Sequence, residues 1–214
     1  MNILAIDLAN FSSSVALIKR GELVYRDHHD VFRGQDVTLL PKLMALLEEH
    51  KLRFQDLDRL VSTTGPGSFT GIRVALATLQ GLSFAADVPA LGVNSFDWVM
   101  RTYPNPLTQN TLVLLESKRL ELYGQLFDEH GHMEGSSFSV SPEDISKDLL
   151  YQSALCIGNG AHYMREYGFE VVDFMPQASH LAELALEIPQ EGLKKYPCLP
   201  VYSRDADTGK PKNA

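Results

Sequence analysis

The chain has 214 residues, of which 44% are hydrophobic, and its 27 acidic and 19 basic residues give a net charge of −8. This hydrophobic content supports a core in one domain or two small lobes, which excludes a largely disordered chain. Because phosphate backbones are bound by clustered Lys and Arg, the acidic balance excludes strong nucleic-acid binding by the chain alone. Residues 1–7 lack the basic start and long apolar run of a signal peptide, and we expect that no later apolar stretch approaches the roughly 18 residues of a membrane span. We therefore expect a cytoplasmic location.

The first half of the chain changes from a meander of strands to strand, turn and helix. Short apolar or alternating runs predict strands at 3–8, 13–19 and 22–27. A periodic apolar run then predicts a helix at 39–50, followed by a strand at 60–64. After a glycine-rich turn, a second helix is predicted at 70–86.

The second half repeats this order. The apolar run 112–116 ends in a carboxylate, as 3–7 does, and a second strand is predicted at 121–128. The strand 155–157 leads into a Gly-Asn-Gly turn and a helix that begins near Ala161. Two further helices are predicted, at 142–150 and 178–187. The repeat is consistent with an ancient duplication.

A proline-rich polar stretch at 103–110 separates the two halves. We place the boundary near residue 104, with an N-terminal lobe at 1–104 and a smaller C-terminal lobe at 105–214. Chain termini often lie close together, so roughly the last 20 residues can return to the N-terminal lobe. The polar tail at 205–214 is expected to be loosely ordered. Cys156 and Cys198 lie in no CxxC motif and are expected to be reduced and packed.

The glycine-rich turn can bring backbone segments close together and start the following helix. It consists of Gly65, Pro66, Gly67, Ser68, Phe69, Thr70 and Gly71. A Walker A loop needs Lys and then Ser or Thr after its last glycine, but Ile72 and Arg73 follow Gly71. Two alternatives stay open: a tight connection without a ligand, or a turn that binds an anion at the helix start.

The helix predicted at 70–86 is apolar on nearly all sides, since its only charged residue is Arg73. We expect it to be covered on both sides. Small residues recur every four positions along it, which lets another helix approach closely. The helix at 39–50 is also apolar on more than one face. Both can be ordinary core helices, but we predict a partner interface that contains Leu39, Leu43, Leu47, Arg73, Ala77, Gly81 and Ala85.

The meander and the repeat resemble the actin-like, sugar-kinase and Hsp70 ATPase superfamily (the ASKHA fold). This resemblance implies an α/β fold of two lobes, each with a mixed β-sheet and packed helices. Asp7 occupies the place of the first phosphate-gripping Asp, but residues 8–13 contain no glycine for a close backbone approach to phosphate. We therefore interpret Asp7 as a degenerate nucleotide-site position, with either a structural role at a strand end or a catalytic one.

No other catalytic or metal-binding pattern is evident in the sequence. The 7 histidines form no HxxH, HxxxH or HExxH spacing, and no serine lies in a GxSxG elbow. We assign no catalytic residue and no metal ligand.

The motif Gly-Pro-Gly-Ser-Phe-Thr-Gly-Ile-Arg at 65–73, continued through 74–82, resembles the TsaB family, also called YeaZ. Weaker matches lie at 3–7, 39–41, 92–95, 121–123, 158–161 and 200–204. The family often has Thr or Ser at the position of Leu8, His at that of Gln35, and Asp-Ala-Arg where this chain has Glu-Ser-Lys at 116–118.

The resemblance implies a scaffold subunit, a non-catalytic paralogue of TsaD. Such a subunit pairs with TsaD through N-lobe helices, forms a homodimer when alone, and works with the ATPase TsaE. The assembly transfers a threonylcarbamoyl group to the adenosine beside the anticodon (t6A) of ANN-decoding tRNAs, which this chain would reach only through the complex. ATP and metal would belong to the partner subunits, and this chain would hold no cofactor.

Two alternatives stay open. One is an actin-like kinase or a glycoprotease-like hydrolase with its own nucleotide or metal site. The other is a protein-interaction module unrelated to tRNA.

Overall fold

The structure is a computed structural model that describes residues 1–10, 13–29, 35–117 and 119–201, without the side chains of 35–37. The predicted tail at 205–214, Lys118, residues 202–204 of the last matched segment and the side chain of Gln35 lie outside this description.

The first half forms a mixed sheet, with five strands among the described residues. They are β1 (Ile3–Asp7), β2 (Ser13–Lys19), β3 (Glu22–His29), β4 (Arg59–Thr63) and β5 (Ala90–Val93). The strand order is β3-β2-β1-β4-β5. The first three strands pair antiparallel, whereas β1, β4 and β5 pair parallel. The central strand β1 is buried along its whole length.

The second half repeats this sheet. Its strands are β6 (Thr111–Glu116), β7 (Leu122–Phe127), β8 (Met133–Val140), β9 (Leu155–Ile157) and β10 (Val171–Val172). Their order, β10-β9-β6-β7-β8, and their parallel and antiparallel pairings correspond to those of β5-β4-β1-β2-β3. The two mixed sheets predicted from the sequence are confirmed.

The helices mostly lie where the sequence predicts them. They are α1 (Gln35–Glu49), α2 (Phe69–Ala86), α3 (Ser95–Thr102), α4 (Pro142–Lys147) and α5 (Ala178–Glu187), with short 3₁₀ helices at Phe54–Asp56, Ala161–Tyr167 and Gln190–Lys195. The sequence prediction missed β5, α3, β8 and β10. It also made α1 four residues too short at its start and α4 too long, and it took the 3₁₀ turn at Ala161–Tyr167 for an ordinary helix.

Helices cover both faces of the first sheet. The α1 and α2 helices share one core with the sheet, formed by Leu4, Ile6, Val15, Leu17, Leu39, Leu43, Leu47, Ile72, Leu76 and Leu79. The α5 helix lies on the opposite face, in a core formed by Ile3, Ala5, Ala16, Ile18, Val61, Leu181, Ala182 and Ala185. Alternate residues of β1 therefore supply both cores, as the two-residue period of a strand requires.

The α2 helix is long and apolar enough, by length and composition alone, to cross a membrane. The expectation that no apolar stretch of this length follows the N-terminus is thus wrong. Ile72, Leu76 and Leu79 of α2 pack in the sheet core, so in this structure α2 is a helix on the surface of the first sheet.

The end of the described chain returns to the first sheet. Gly92 N–H donates to the carbonyl oxygen of Tyr196 at 3.0 Å, and Val201 N–H donates to that of Thr64 at 2.8 Å. Leu91 and Pro197 form an antiparallel bridge. We call residues 196–201 the carboxyl strap, which lies along the outer edge of β5. The domain boundary near residue 104 stays a prediction; it follows α3, whose side chains enter both the α5 core and the core of the second sheet.

A buried arginine attaches α5 to the sheet. Arg59, the first residue of β4, is buried, and its Nη1 donates to the carbonyl oxygens of Ala185 and, at 2.6 Å, Ile188. These carbonyls lie at the end of α5, where a helix leaves its acceptors unpaired and favours a cation. Burial lowers the pKa of Arg59, although the nearby Asp58 acts in the opposite direction.

Both cysteines are free thiols and buried. Burial raises the pKa of Cys156 to about 12 and that of Cys198 to about 11. The prediction of packed, reduced cysteines is confirmed.

Replacing Arg59 by Met keeps most of the side-chain volume and removes the donors to α5. We expect Arg59→Met to lower the free energy of unfolding by about 1–3 kcal/mol, because two buried carbonyls lose their partner. The matched control is Arg53→Met, since Arg53 forms an exposed pair with Asp56, and exposed pairs contribute little. Urea unfolding of both variants checks this, and an equal loss in the two would contradict it.

Candidate functional site

The glycine-rich turn connects β4 to α2 and is anchored to the segment after β1. Ser68 caps α2: its Oγ accepts a hydrogen bond from Gly71 N–H at 3.3 Å. Ser68 N–H in turn donates to the carbonyl oxygen of Ala9 at 2.6 Å. Ser68 is therefore the N-cap of α2.

The glycines of this turn are required by the close approach of two backbones. A Cβ atom on Gly71 would overlap the carbonyl oxygen of Leu8, and one on Gly67 would lie 2.5 Å from that of Ala9. Protein backbone thus packs directly against the turn. Of the two alternatives for the turn, this contact favours a tight connection without a ligand.

The second half contains the same contact. Gly158 follows β9, as Gly65 follows β4, and has a φ of +106°. A Cβ there would overlap the carbonyl oxygen of Leu114, and one on Gly160 would lie 3.1 Å from the carbonyl carbon of Leu115. In both halves a glycine turn thus packs against the backbone of the first strand or of the segment that follows it.

Asp7 lies at the end of β1 and is almost completely buried. Its carboxylate accepts hydrogen bonds from Thr63 Oγ1 at 2.5 Å, Asn10 Nδ2 at 3.1 Å and Ala9 N–H at 3.2 Å. Burial raises the pKa of Asp7, and the hydrogen bonds from Thr63, Asn10 and Ala9 oppose this rise. The bond from Thr63 joins β1 to β4, and those from Ala9 and Asn10 fix the segment after β1, which favours the structural role that the sequence left open.

The outer surface of α2 corresponds in part to the predicted interface. Arg73, Ala77, Gly81 and Ala85 are all exposed. Within the described chain only one side of α2 packs on the sheet, so the cover predicted for its other side stays a prediction. Phe84 is 93% exposed, and Phe69 at the start of the helix is also exposed.

The predicted contact residues of α1 need correction. Leu39, Leu43 and Leu47 are buried in the chain's own core, so they do not lie on a surface. Among the described side chains of α1, the exposed large apolar ones are Leu40 and Met44, and Met44 is 56% exposed. We define the α1–α2 face as Leu40, Met44, Phe69, Arg73, Ala77, Gly81, Phe84 and Ala85.

Leu40, Met44 and Phe84 were not predicted from the sequence as interface residues. Phe84 could have been found, since it lies three residues after Gly81 and seven after Ala77, on the same side of a helix.

Comparison with known proteins decides the family. The family model TsaD: tRNA N6-adenosine threonylcarbamoyltransferase matches residues 31–133. The tRNA threonylcarbamoyladenosine biosynthesis protein TsaB of Haemophilus influenzae is 25% identical over 98% of this chain and 96% of its own length. The solved structure of YeaZ from Pseudomonas aeruginosa is 26% identical and has a TM-score of 0.75 over 94% of this chain and 99% of that one. The chain belongs to the TsaB/YeaZ family.

Similarity to a more distant solved structure supports the fold alone. The activator of the 2-hydroxyisocaproyl-CoA dehydratase from Clostridium difficile, solved with bound ADPNP, is 12% identical and has a TM-score of 0.50 over 92% of this chain and 98% of that one. The predicted ASKHA fold is confirmed.

Two of the positions where this TsaB-family chain differs from the usual family pattern can be located. Leu8 is buried, and its carbonyl oxygen faces Gly71. Glu116 N–H donates to Asn159 Oδ1 at 3.0 Å, and the Glu116 carboxylate lies 3.8 Å from His162 Nε2. Both residues therefore contribute to contacts within the fold.

A small open cavity of about 210 Å³ lies beside the second glycine turn. It is lined by Gly158, Asn159, Asp173, Phe174 and Met175. The cavity lies beyond the carboxyl ends of the parallel strands β9 and β10. Ligands of α/β folds often bind at such a position. The volume is below the roughly 300–1,000 Å³ of typical ligand pockets. Among the described residues, no group of three or more His, Cys, Asp and Glu side chains could hold a metal ion.

Two glycines of α2 allow a matched test of the turn. We expect Gly71→Ala to destabilise the protein by about 3 kcal/mol or more, because its Cβ would overlap the Leu8 carbonyl. Apart from the neighbouring residues and the backbone of its own helix, no atom of the described chain lies within 4 Å of a Cβ built on Gly81. There, Ala should stabilise the helix by roughly 0.5–1 kcal/mol. Chemical denaturation measures both, and a similar effect of the two variants would contradict the close approach at Gly71.

The buried carboxyl of Asp7 predicts a pH dependence. Because the pKa of Asp7 is higher in the folded than in the unfolded state, the folded state binds the proton more tightly. The stability of the wild type relative to Asp7→Asn should therefore fall as the pH rises from about 3.9 through the folded-state pKa, and stay constant above it. Urea unfolding of both proteins over a pH series measures the difference; a difference that grows with pH would contradict the prediction.

Proposed function

We propose that this chain is a non-catalytic subunit of the cytoplasmic system that makes t6A in ANN-decoding tRNAs. It binds a TsaD-family catalytic subunit through the α1–α2 face and works with a TsaE-like ATPase. ATP and metal bind to the partner subunits, and tRNA is reached only through the complex. Family membership supports the pathway, since the Haemophilus influenzae relative is a tRNA threonylcarbamoyladenosine biosynthesis protein.

The observation that carries this proposal is the α1–α2 face itself. Its exposed large apolar side chains, Leu40, Met44, Phe69 and Phe84, lie on two adjacent helices that pack against each other. Large apolar side chains exposed on the same surface are typical of protein contacts. Ala77, Gly81 and Ala85 leave the helix backbone accessible, so that a partner helix can approach closely.

The match to the TsaD family supports the choice of partner. It covers residues 31–133, which include α1, the glycine turn and α2. A TsaD-family subunit would therefore carry a related helix pair, and two related surfaces can pack around an approximate twofold axis. A second copy of this chain can occupy the same face, which accounts for the proposed homodimer.

Arg73 places a positive charge on the α1–α2 face, next to the Phe69 ring. Its guanidinium carbon lies 3.6 Å from the centroid of the Phe69 ring. A cation stacked on an aromatic ring has a restricted orientation. We propose that Arg73 helps set the register of the partner on this face.

The central test is Gly81→Arg. The chain has room for a side chain at this position, so the variant should fold. We expect its affinity for the TsaD-family subunit to fall about a hundredfold or more, because an unpaired guanidinium would be buried in an apolar contact. The matched control is Leu149→Arg, which adds the same charge at an exposed leucine of the second half. Size-exclusion chromatography and calorimetry of the mixed subunits measure the effect.

Three results would contradict the proposal. The first is unchanged co-elution of Gly81→Arg with the TsaD-family subunit. The second is t6A that persists in tRNA after depletion of this chain. The third is turnover of ATP by the chain alone in the presence of Mg²⁺, which would instead support the kinase or hydrolase alternative.

A further inference from the structure

We propose that the carboxyl strap is a third element of the partner contact, beside α1 and α2, and that Leu199 and Val201 contact the TsaD-family subunit directly. This inference rests on the proposed function, because it assigns further residues to the same contact.

The strap is held next to the α1–α2 face by a hydrogen bond to α2. The side-chain Nε2 of Gln80 donates to the carbonyl oxygen of Cys198 at 2.6 Å. Gln80 lies three residues after Ala77 and four before Phe84, so the three side chains lie along one side of the helix. The strap backbone at Cys198 therefore borders the α1–α2 face at Gln80.

The strap is fixed on its other side by the sheet and the glycine turn. Val201 N–H donates to the carbonyl oxygen of Thr64, the residue before the turn. A Cβ built on Gly65 would lie 2.8 Å from the carbonyl oxygen of Val201. The strap thus contacts the turn that starts α2, and its position relative to α2 is defined at two points.

The strap exposes apolar side chains where it borders the face. Cys198 is buried in the core, whereas Leu199 is 58% exposed and Val201 is 42% exposed. They add apolar surface beside α2, because Cys198 is bonded to Gln80 and Val201 to Thr64, which precedes the turn. A partner that covers the outer side of α2 would also cover this addition, and interface centres are rich in such side chains.

The backbone of the strap indicates the kind of contact. The N–H groups of Leu199 and Val201 donate to carbonyl oxygens of Pro197 and Thr64 within the chain, both at 2.8 Å. These amides are therefore unavailable for a partner strand. The partner must present an apolar surface to the side chains, so addition of a β-strand is excluded as the binding mode at these residues.

The test uses the full chain with a double variant, Leu199→Asp and Val201→Asp. Both side chains are exposed, so thermal unfolding should change little. We expect the affinity for the TsaD-family subunit, measured by calorimetry, to fall at least about tenfold. The matched control is Leu149→Asp with Leu150→Asp, two exposed leucines of the second half, which should bind as the wild type does.

The outcomes separate this inference from the proposed function. If the strap variant binds normally while Gly81→Arg does not, the strap inference is overturned and the α1–α2 contact stands. If both bind normally, both are overturned. Loss of binding in the strap variant and in Gly81→Arg, with a normal control, supports both.

A second measurement covers the case in which the double variant fails to fold. A photo-crosslinking residue placed at Leu199 should crosslink to the TsaD-family subunit, whereas one at Leu149 should not. Absence of a crosslink from position 199 in a mixture that forms the complex would also overturn the strap inference.

Discussion

The close contact between the glycine turn and the segment after β1 determines where α2 lies. Gly67 and Gly71 allow the turn to approach the carbonyl groups of Ala9 and Leu8, and Ser68 N–H donates to Ala9. One contact thus connects the central strand to the start of the helix.

The duplicated halves share this contact but use it differently. After the first turn the chain continues into α2, an 18-residue helix with one side exposed. After the second turn it continues into a 7-residue 3₁₀ helix, Ala161–Tyr167. A 3₁₀ helix is short and its hydrogen bonds are weaker, so it presents less surface to a partner helix. The asymmetry between the halves explains why the long exposed helix surface belongs to the first one.

The α1–α2 face exists because each of the two helices has apolar residues on its inner side and on its outer side. Leu39, Leu43 and Leu47 of α1 point into the core, while Leu40 and Met44 point outward. In α2 the inner side carries Ile72, Leu76 and Leu79, and the outer side carries small residues and two phenylalanines. Buried leucines hold α1 in place, so the exposed residues can contact a partner without rearrangement of the core. The carboxyl strap extends this surface because Gln80 binds it to α2.

The sequence by itself determined seven of the ten described strands, the helices α1, α2 and α5 and the internal repeat, and its glycine motif indicated the family. Local hydrophobic periodicity and the glycine motif carry this information, and they depend only on neighbours along the chain. Only the tertiary structure decided which leucines of α1 face inward, because a helix that is apolar on more than one side has no unique inner face until it meets a sheet. The same holds for β5, whose four residues give too short a pattern, and for Arg59, whose acceptors lie 126 and 129 residues away. Contacts of that range leave no local pattern, and they place both α5 and the strap on the first sheet.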